Sequence, residues 1–472
     1  MADKPNLVYI TADQLKASAA PILGNSLISC PFMEHLAAEG ITFPETYAAS
    51  TICTPSRASV FTGVHPLVHQ VTCWQNKAPL NLPQMSELFA SAGYYTAVSG
   101  HFEQGRNLSR GWYEQVDLRE PGPLARAMET KYSHGRKDVG WSCGAIDCAP
   151  EEGHSALLAD RSIRMIDTAR RSRMPFFLHF SFNDPHPSYY VPPPYGSMVD
   201  PDRVVLPVMD HDGARPAWQH QALKEVRTGE ASERDLRKVV AVYNGMIRYV
   251  DDQMNRVFQA LAERDLLENT WVVFASDHGD FMGEKGLFEK CEVPYECLTH
   301  VPLVIRPPTN LATCRGIRIP GLVDLVDLFP TFLSLAGIPV PEYAQGRDLM
   351  DWVGRGAERP LRDTVYSQVG DYHGHLKSTF PTGTFNSGRR NVLVRAGRSR
   401  EFSYIRDPQY GDEAYDLARD PRELDNLLQR GPVPGGVHRL RDDLDRWEAA
   451  CIDLRRQLNV IPGDRGFEPG WE

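Results

Sequence analysis

Four short runs of almost unbroken apolar residues constrain the fold of this chain most: Leu7–Thr11, Tyr95–Val98, Phe176–Phe182 and Trp271–Ala275. A strand with water on one face alternates apolar and polar residues, whereas a strand covered on both faces need not. Helical patterns separate the runs. Met85–Ala92 is one, and Glu233–Leu261 is the longest, with Val239, Val242, Tyr243, Met246, Val250, Val257 and Leu261 on one stripe. Buried strands alternating with amphipathic helices predict an α/β fold: a large, mostly parallel sheet sandwiched by helices. In such sheets reactive groups gather beyond the carboxyl ends of strands. Asp13 follows the first run and Asp277 follows the fourth.

A chain of 472 residues exceeds one small core. Asp324–Leu335 reads as a helix closed by Gly337 and Pro339, Pro307–Ile319 as a loop or crossing strand, and Val191–Tyr195 as a rigid turn. Beyond about residue 360 the texture changes. Thr364–Gln368, Asn391–Arg395 and Phe402–Ile405 suggest a small antiparallel sheet. A last helix carries Val437, Leu440, Leu444, Trp447, Cys451, Leu454 and Leu458 on one stripe, which predicts packing on that sheet, with a subunit interface and hence a homo-oligomer as the alternative. The expected division is 1–360 for the catalytic α/β domain and 361–472 for a smaller C-terminal domain with antiparallel sheet and long helix.

The formal net charge of −10 argues against a nucleic-acid partner, which calls for a basic stripe, but not against an anionic substrate, because a pocket sets its own field. Nine cysteines at irregular spacing form no disulfide framework. Cys143 with Cys148 and Cys291 with Cys297 are open to pairing, and free thiols are the simpler reading. No cationic and apolar leader precedes the first strand, and no apolar run is long enough for a bilayer. A cytoplasmic protein with no membrane partner is expected.

Residues 53–63 read Cys-Thr-Pro-Ser-Arg-Ala-Ser-Val-Phe-Thr-Gly, with Cys53, Pro55 and Arg57 as a Cys-x-Pro-x-Arg core. Alone, this is also what a buried cysteine before a Pro-started helix looks like. Asp13-Gln14 and Asp277-His278 each follow a strand. Converging, two carboxylates, an amide oxygen and an imidazole make a divalent metal site. Hard oxygen ligands favour Ca²⁺ or Mg²⁺, and the imidazole moves the preference toward Mn²⁺.

In order and spacing these segments resemble the formylglycine-dependent sulfatases of the alkaline-phosphatase superfamily, near the arylsulfatase, choline sulfatase and phosphonate monoester hydrolase branches. PNLVYITADQ is similar to that family's first strand and metal turn, CTPSRASVFTG to its cysteine-modification site, and SDHGDFMGEKGLFEK to its second metal and lysine segment. HVPLVIRPP and YDLARDPRELDNL resemble a later core strand and the C-terminal signature.

The resemblance implies that Asp13, Gln14, Asp277 and His278 hold one divalent metal, Ca²⁺ first and Mn²⁺ second. Position 53, converted to formylglycine by a formylglycine-generating enzyme, would be both metal ligand and nucleophile. Arg57 would hold the hydrated aldehyde. His101 would act as general base when a covalent sulfo-enzyme intermediate breaks down. His186 and Lys290 would bind the transferred group and assist leaving-group departure. Asn76 would contact the substrate oxyanion. The implied activity is hydrolysis of aryl or small alkyl sulfates, with a phosphonate monoester or phosphodiester hydrolase as the alternative.

Two departures pull toward a subgroup: Gln14 where a second Asp is more usual, as in choline sulfatases and phosphonate monoester hydrolases alike, and Ser99 where a lysine commonly precedes the histidine. A non-catalytic relative with an unmodified Cys53 is the reading from a different class. Tyr189, Tyr190, His211 and Trp218, and further on Tyr372, His373 and His375, are candidates to line the leaving-group pocket.

Overall fold

The computed structural model describes residues 4–73, 76–101, 110–117, 143–209, 232–311, 315–370 and 392–460, with isolated positions between them. Eight strands form the main sheet: β1 (Asn6–Ala12), β2 (Ile41–Thr42), β3 (Tyr95–Gly100), β4 (Glu114–Asp117), β5 (Phe176–Phe182), β6 (Thr270–Ser276), β7 (Leu303–Arg306) and β8 (Ile317–Arg318). Their order is β8-β2-β7-β6-β1-β5-β3-β4. The stretch from β6 to β4 is parallel, and β7 joins it antiparallel. All four predicted runs are therefore adjacent central strands. Leu7 of β1 sits in register with Phe177 on one side and Trp271 on the other.

Alternate residues of β1 feed two cores, which is why its sequence shows no polar face. Val8, Ile10 and Ala12 pack with α1 (Pro31–Glu39), and with two helices placed further along the chain, His154–Ser172 and Glu233–Ala262. Leu7 and Tyr9 pack under α2 (Cys53–Thr62), α3 (Met85–Ser91) and the helix Leu328–Leu335. In chain order these later helices are α4 (His154–Ser172), α5 (Glu233–Ala262) and α6 (Leu328–Leu335). Ser232 starts α5 by accepting from the Asp235 amide, with Asp235 reaching back in a capping box.

The C-terminal region is a four-stranded antiparallel sheet, β9 (Val365–Gly370), β10 (Leu393–Arg398), β11 (Phe402–Arg406) and β12 (Glu413–Asp416), followed by α7 (Gly435–Gln457). The predicted stripe of α7 divides. Val437, Leu440 and Leu444 pack on Tyr404 and Ala414 of the sheet. Cys451, with Trp447, Leu454 and Leu458, packs on Val64, Leu67, Val68 and Leu82. The helix thus bridges the C-terminal sheet and the segment 64–82.

The eight described cysteines are free, Cys143, Cys148, Cys291 and Cys297 among them. Among the described residues no helix is long and apolar enough to cross a membrane.

Candidate active site

Cys53 opens α2, with Ile52 as the last extended residue. The first helical bond runs from Ser56 N–H to the Ile52 carbonyl at 3.1 Å, so the amide that Pro55 lacks falls in the first turn, where it has no intrahelical acceptor. All ten residues of α2 are buried, and Cys53 sits where the helix dipole favours an anion. Arg57, four residues on, lies on the same face one turn later.

The other groups leave the carboxyl ends of adjacent strands: Asp13 and Gln14 from β1, Asp277 and His278 from β6, His101 from β3, and His186 from the loop after β5. Gly100 has φ +104°, and a Cβ there would stand 1.9 Å from the Ser181 carbonyl oxygen. Only glycine lets β3 come this close, which brings the His101 amide within 2.9 Å of that oxygen.

Arg57 ties the ends together. Its Nε donates to Asp277 Oδ2 at 2.8 Å, and its Nη2 to Asp13 Oδ2 at 3.0 Å. Its Nη1 donates to Ser181 Oγ at 2.5 Å and to the His101 carbonyl. Burial opposes ionisation of Asp13, yet Arg57, then Lys290, His101 and His278, hold its carboxyl down to about 2. Burial, then the Lys290 charge, pull His278 down to about 4. Its Nδ1–H donates to the Gly279 carbonyl at 2.9 Å, which leaves a lone pair on Nε2.

That lone pair faces Asp13 Oδ1 at 3.5 Å. Asp13 Oδ1 and Gln14 Oε1 are both buried without a hydrogen-bond partner among the described residues. Asp13, Asp277 and His278 each bring a ligand atom within 4.8 Å of the others, and Asp13, Cys53 and His101 do the same. Converging acceptors, two of them without a donor among the described residues, suit a divalent cation. Asp280 sets this up. Its Oδ2 accepts from Gln14 Nε2 at 2.7 Å and from the Tyr189 hydroxyl at 2.9 Å, which orients the Gln14 amide and leaves its oxygen unpaired.

Lys290 closes the other side. Its Nζ stands 3.9 Å from Cys53 Sγ, 3.0 Å from His186 Nε2 and 3.2 Å from His278 Nε2. Burial alone would lower the pKa of this lysine, but Cys53, Asp13 and Asp277 raise it. His186 Nδ1–H donates to the Pro187 carbonyl at 2.5 Å, so its Nε2 accepts from the ammonium. The loop that carries Lys290 is anchored by Lys285, which donates to the Arg422 carbonyl at 2.8 Å and lies 4.3 Å from the centre of the Tyr295 ring.

Nine of the ten residues singled out in the sequence are thus linked, directly or through one another. Asn76 is tied into a turn of its own. Its carboxamide oxygen accepts from the Thr72 amide at 2.9 Å and the Cys73 amide at 3.1 Å, so toward a substrate only its NH₂ group could act. Ser99 turns away from the site, within 2.9 Å of Ser162 Oγ on α4. Its small side chain therefore belongs to helix packing.

Trp218 is fully buried, and its Nε1 donates to Glu413 at 3.3 Å, a core position rather than a pocket wall. Tyr189 and Tyr190 are buried as well. His211, Tyr372, His373 and His375 lie outside the described residues. The sequence reading gave no role to Asp280, which stands in the quoted Asp-His-Gly-Asp quartet, or to Ser181, which has no signal in the sequence beyond its position near the end of β5.

A family profile described as Sulfatase matches residues 5–338, and one described as N-sulphoglucosamine sulphohydrolase, C-terminal, matches residues 283–449. An arylsulfatase of Clostridium perfringens is 29% identical over 97% of this chain and 98% of its own. Arylsulfatase K of Bos taurus is 26% identical over 91% of this chain and 79% of its own. Among solved structures, the phosphonate monoester hydrolase of Agrobacterium radiobacter superposes with a TM-score of 0.76 at 23% identity, covering 96% of each chain.

Proposed function

The chain belongs to the sulfatase family of sulfuric ester hydrolases, and from that premise we propose that it hydrolyses aryl or small alkyl sulfates with a formylglycine made from Cys53 and one divalent cation, Ca²⁺ or Mn²⁺. The observation that carries this reading is the pair of unpaired buried oxygens, Asp13 Oδ1 and Gln14 Oε1, beside the helix start that presents Cys53. Asp13, Gln14, Asp277 and His278 would hold the cation, with position 53 completing the set. When bound, the cation polarises the sulfuryl oxygens and the hydrated aldehyde offers the attacking hydroxyl.

The chain's own groups do the rest. Arg57 neutralises Asp13 and Asp277 and keeps both carboxylates aimed at the same point. Lys290, with His186 as its hydrogen-bond partner, places positive charge where the leaving oxygen becomes negative. His101, whose Nε2 stands 3.5 Å from Asp13 Oδ2, is the base at the strand-end side.

A second reading, phosphonate monoester or phosphodiester hydrolysis by the same residues, is favoured by Gln14, whose neutral amide leaves the site one negative charge fewer than a carboxylate would. Sulfuryl and phosphoryl transfer share a loose in-line transition state, so one site can serve both. The test is kcat/KM for one aryl leaving group presented as sulfate and as phosphonate, on metal-replete protein whose Cys53 conversion is confirmed by peptide mass. A preference for the sulfate is expected. A preference for the phosphonate would move the assignment to the second reading, and turnover of neither would refute both.

A further inference from the structure

His186 carries leaving-group work in the reading above, yet its ring is held by loops. Nδ1 bonds the neighbouring Pro187 carbonyl, and Nε2 meets Lys290 of the loop 281–290. Asp184, two residues earlier, ties the His186 loop to the rigid scaffold. Its carboxylate is buried, with the residue 1% exposed. Asp184 Oδ2 accepts from Ser155 Oγ at 2.6 Å and stands 3.1 Å from His154 Nε2. His154 and Ser155 are buried as well, and they open the 19-residue helix α4. A carboxylate withdrawn this far from water persists where a hydroxyl, an imidazole and a helix N-terminus surround it.

Both sides of this contact are themselves fixed. The loop leaves β5 at Phe182, whose carbonyl accepts from the Asp13 amide at 3.0 Å. The His186 amide then closes a turn onto the Asn183 carbonyl at 2.9 Å. On the helix side, the Tyr249 hydroxyl of α5 accepts from the Ala156 amide at 3.3 Å and donates to the Pro150 carbonyl at 2.8 Å. That satisfies an amide of the first turn of α4 and fixes the stretch from which Ser155 reaches Asp184. A shift at Asp184 would pass through Pro185, whose ring holds its own φ, into the position of the imidazole.

We propose that Asp184, held by Ser155 and His154, is a positioning residue that sets where His186 and Lys290 meet the departing oxygen. The proposal rests on the sulfate-ester reading and deepens it. Asp184 acts through the imidazole rather than on the ester. A displaced imidazole misplaces the ammonium it partners, and charge stabilisation at the leaving oxygen matters most when that oxygen leaves poorly.

The test compares kcat/KM of the wild type, Asp184→Asn and Ser155→Ala for phenyl sulfate and 4-nitrophenyl sulfate, on metal-replete protein whose Cys53 conversion is confirmed. The first ester has the poorer leaving group. Asp184→Asn has nearly the native volume but carries no charge for His154 to face. It is expected to lower phenyl sulfate at least about tenfold more than 4-nitrophenyl sulfate. Ser155→Ala removes one donor to the carboxylate and is expected to move the same ratio in the same direction by about threefold. It decides the matter should Asp184→Asn not fold. A merely structural role would lower both esters alike. Equal losses on the two esters, or none, would overturn the positioning role while leaving the sulfate-ester reading intact. Wild-type protein that turns over neither ester would overturn both.

Discussion

Two clusters of buried charge meet the loop 281–290 from opposite ends, and they are built on opposite rules. At the C-terminal sheet, Arg398 pairs with Glu296 at 2.9 Å and with Glu423, Glu413 accepts from the Tyr295 hydroxyl at 2.6 Å, and Lys285 donates to two carbonyls. At the strand ends, Asp13 Oδ1 and Gln14 Oε1 are buried without donors among the described residues. In the first cluster Arg398, Glu296, Glu413 and Glu423 each meet a partner within the chain, so it contributes a defined geometry. The second leaves two acceptor oxygens unmet among the described residues, which is what the proposed cation requires. Equal burial and charge therefore do not imply equal roles, and counting donors against acceptors separates anchor from site.

That contrast can be broken in four ways. Cys53→Ala should abolish turnover, with a loss of about 10³-fold or more, while leaving the denaturant midpoint in place. Unchanged activity on a sulfate ester would end the nucleophile assignment. Asp13→Asn should weaken divalent-metal affinity at least about tenfold in a calorimetric titration, since it removes a carboxylate that no internal donor satisfies at Oδ1. Metal affinity equal to wild type would remove Asp13 from the ligand set.

Glu413→Gln should do the reverse. It should cost about 3 kcal/mol in chemical unfolding, because an amide cannot accept all the donors that surround the carboxylate, while metal affinity stays near wild type. A variant as stable as the wild type would deny the anchor its structural role.

The smallest effect belongs to His300. Its Nδ1 stands 2.7 Å from Glu296 and its Nε2 2.7 Å from the Pro44 carbonyl, the pattern of a doubly donating imidazolium. Burial works against that charge, but Glu296 raises its pKa above the ordinary 6.5. Because the folded value exceeds the unfolded one, the stabilisation is fully present below about pH 6.5 and fades as pH rises through the folded pKa. His300→Gln should flatten that part of the stability–pH curve. A curve identical to wild type would exclude the pair as a contributor.

The central sheet was legible because each of its four inner strands is covered on both faces, and a doubly covered strand must be apolar throughout. β12 was not, since Glu413-Ala-Tyr-Asp416 owes its place to hydrogen bonds with β11 and to Tyr295 and Trp218 reaching its glutamate. The stripe of α7 was visible, but not that it divides between two surfaces, because spacing fixes a face and not what covers it.

The local sequence alone determined the parallel α/β core, the placing of Asp13 and Asp277 at strand ends, and the Cys53–Arg57 helix start. Each follows from periodicity or from a short-range rule of backbone chemistry. Only the tertiary structure decided that Ser99 serves helix packing, that Asp280 turns the Gln14 amide, that Trp218 is core, and that Asp13 Oδ1 and Gln14 Oε1 are left without donors among the described residues. These depend on which atoms from distant segments are left facing one another. Hydrogen-bond satisfaction is a property of that three-dimensional count and has no period in the chain.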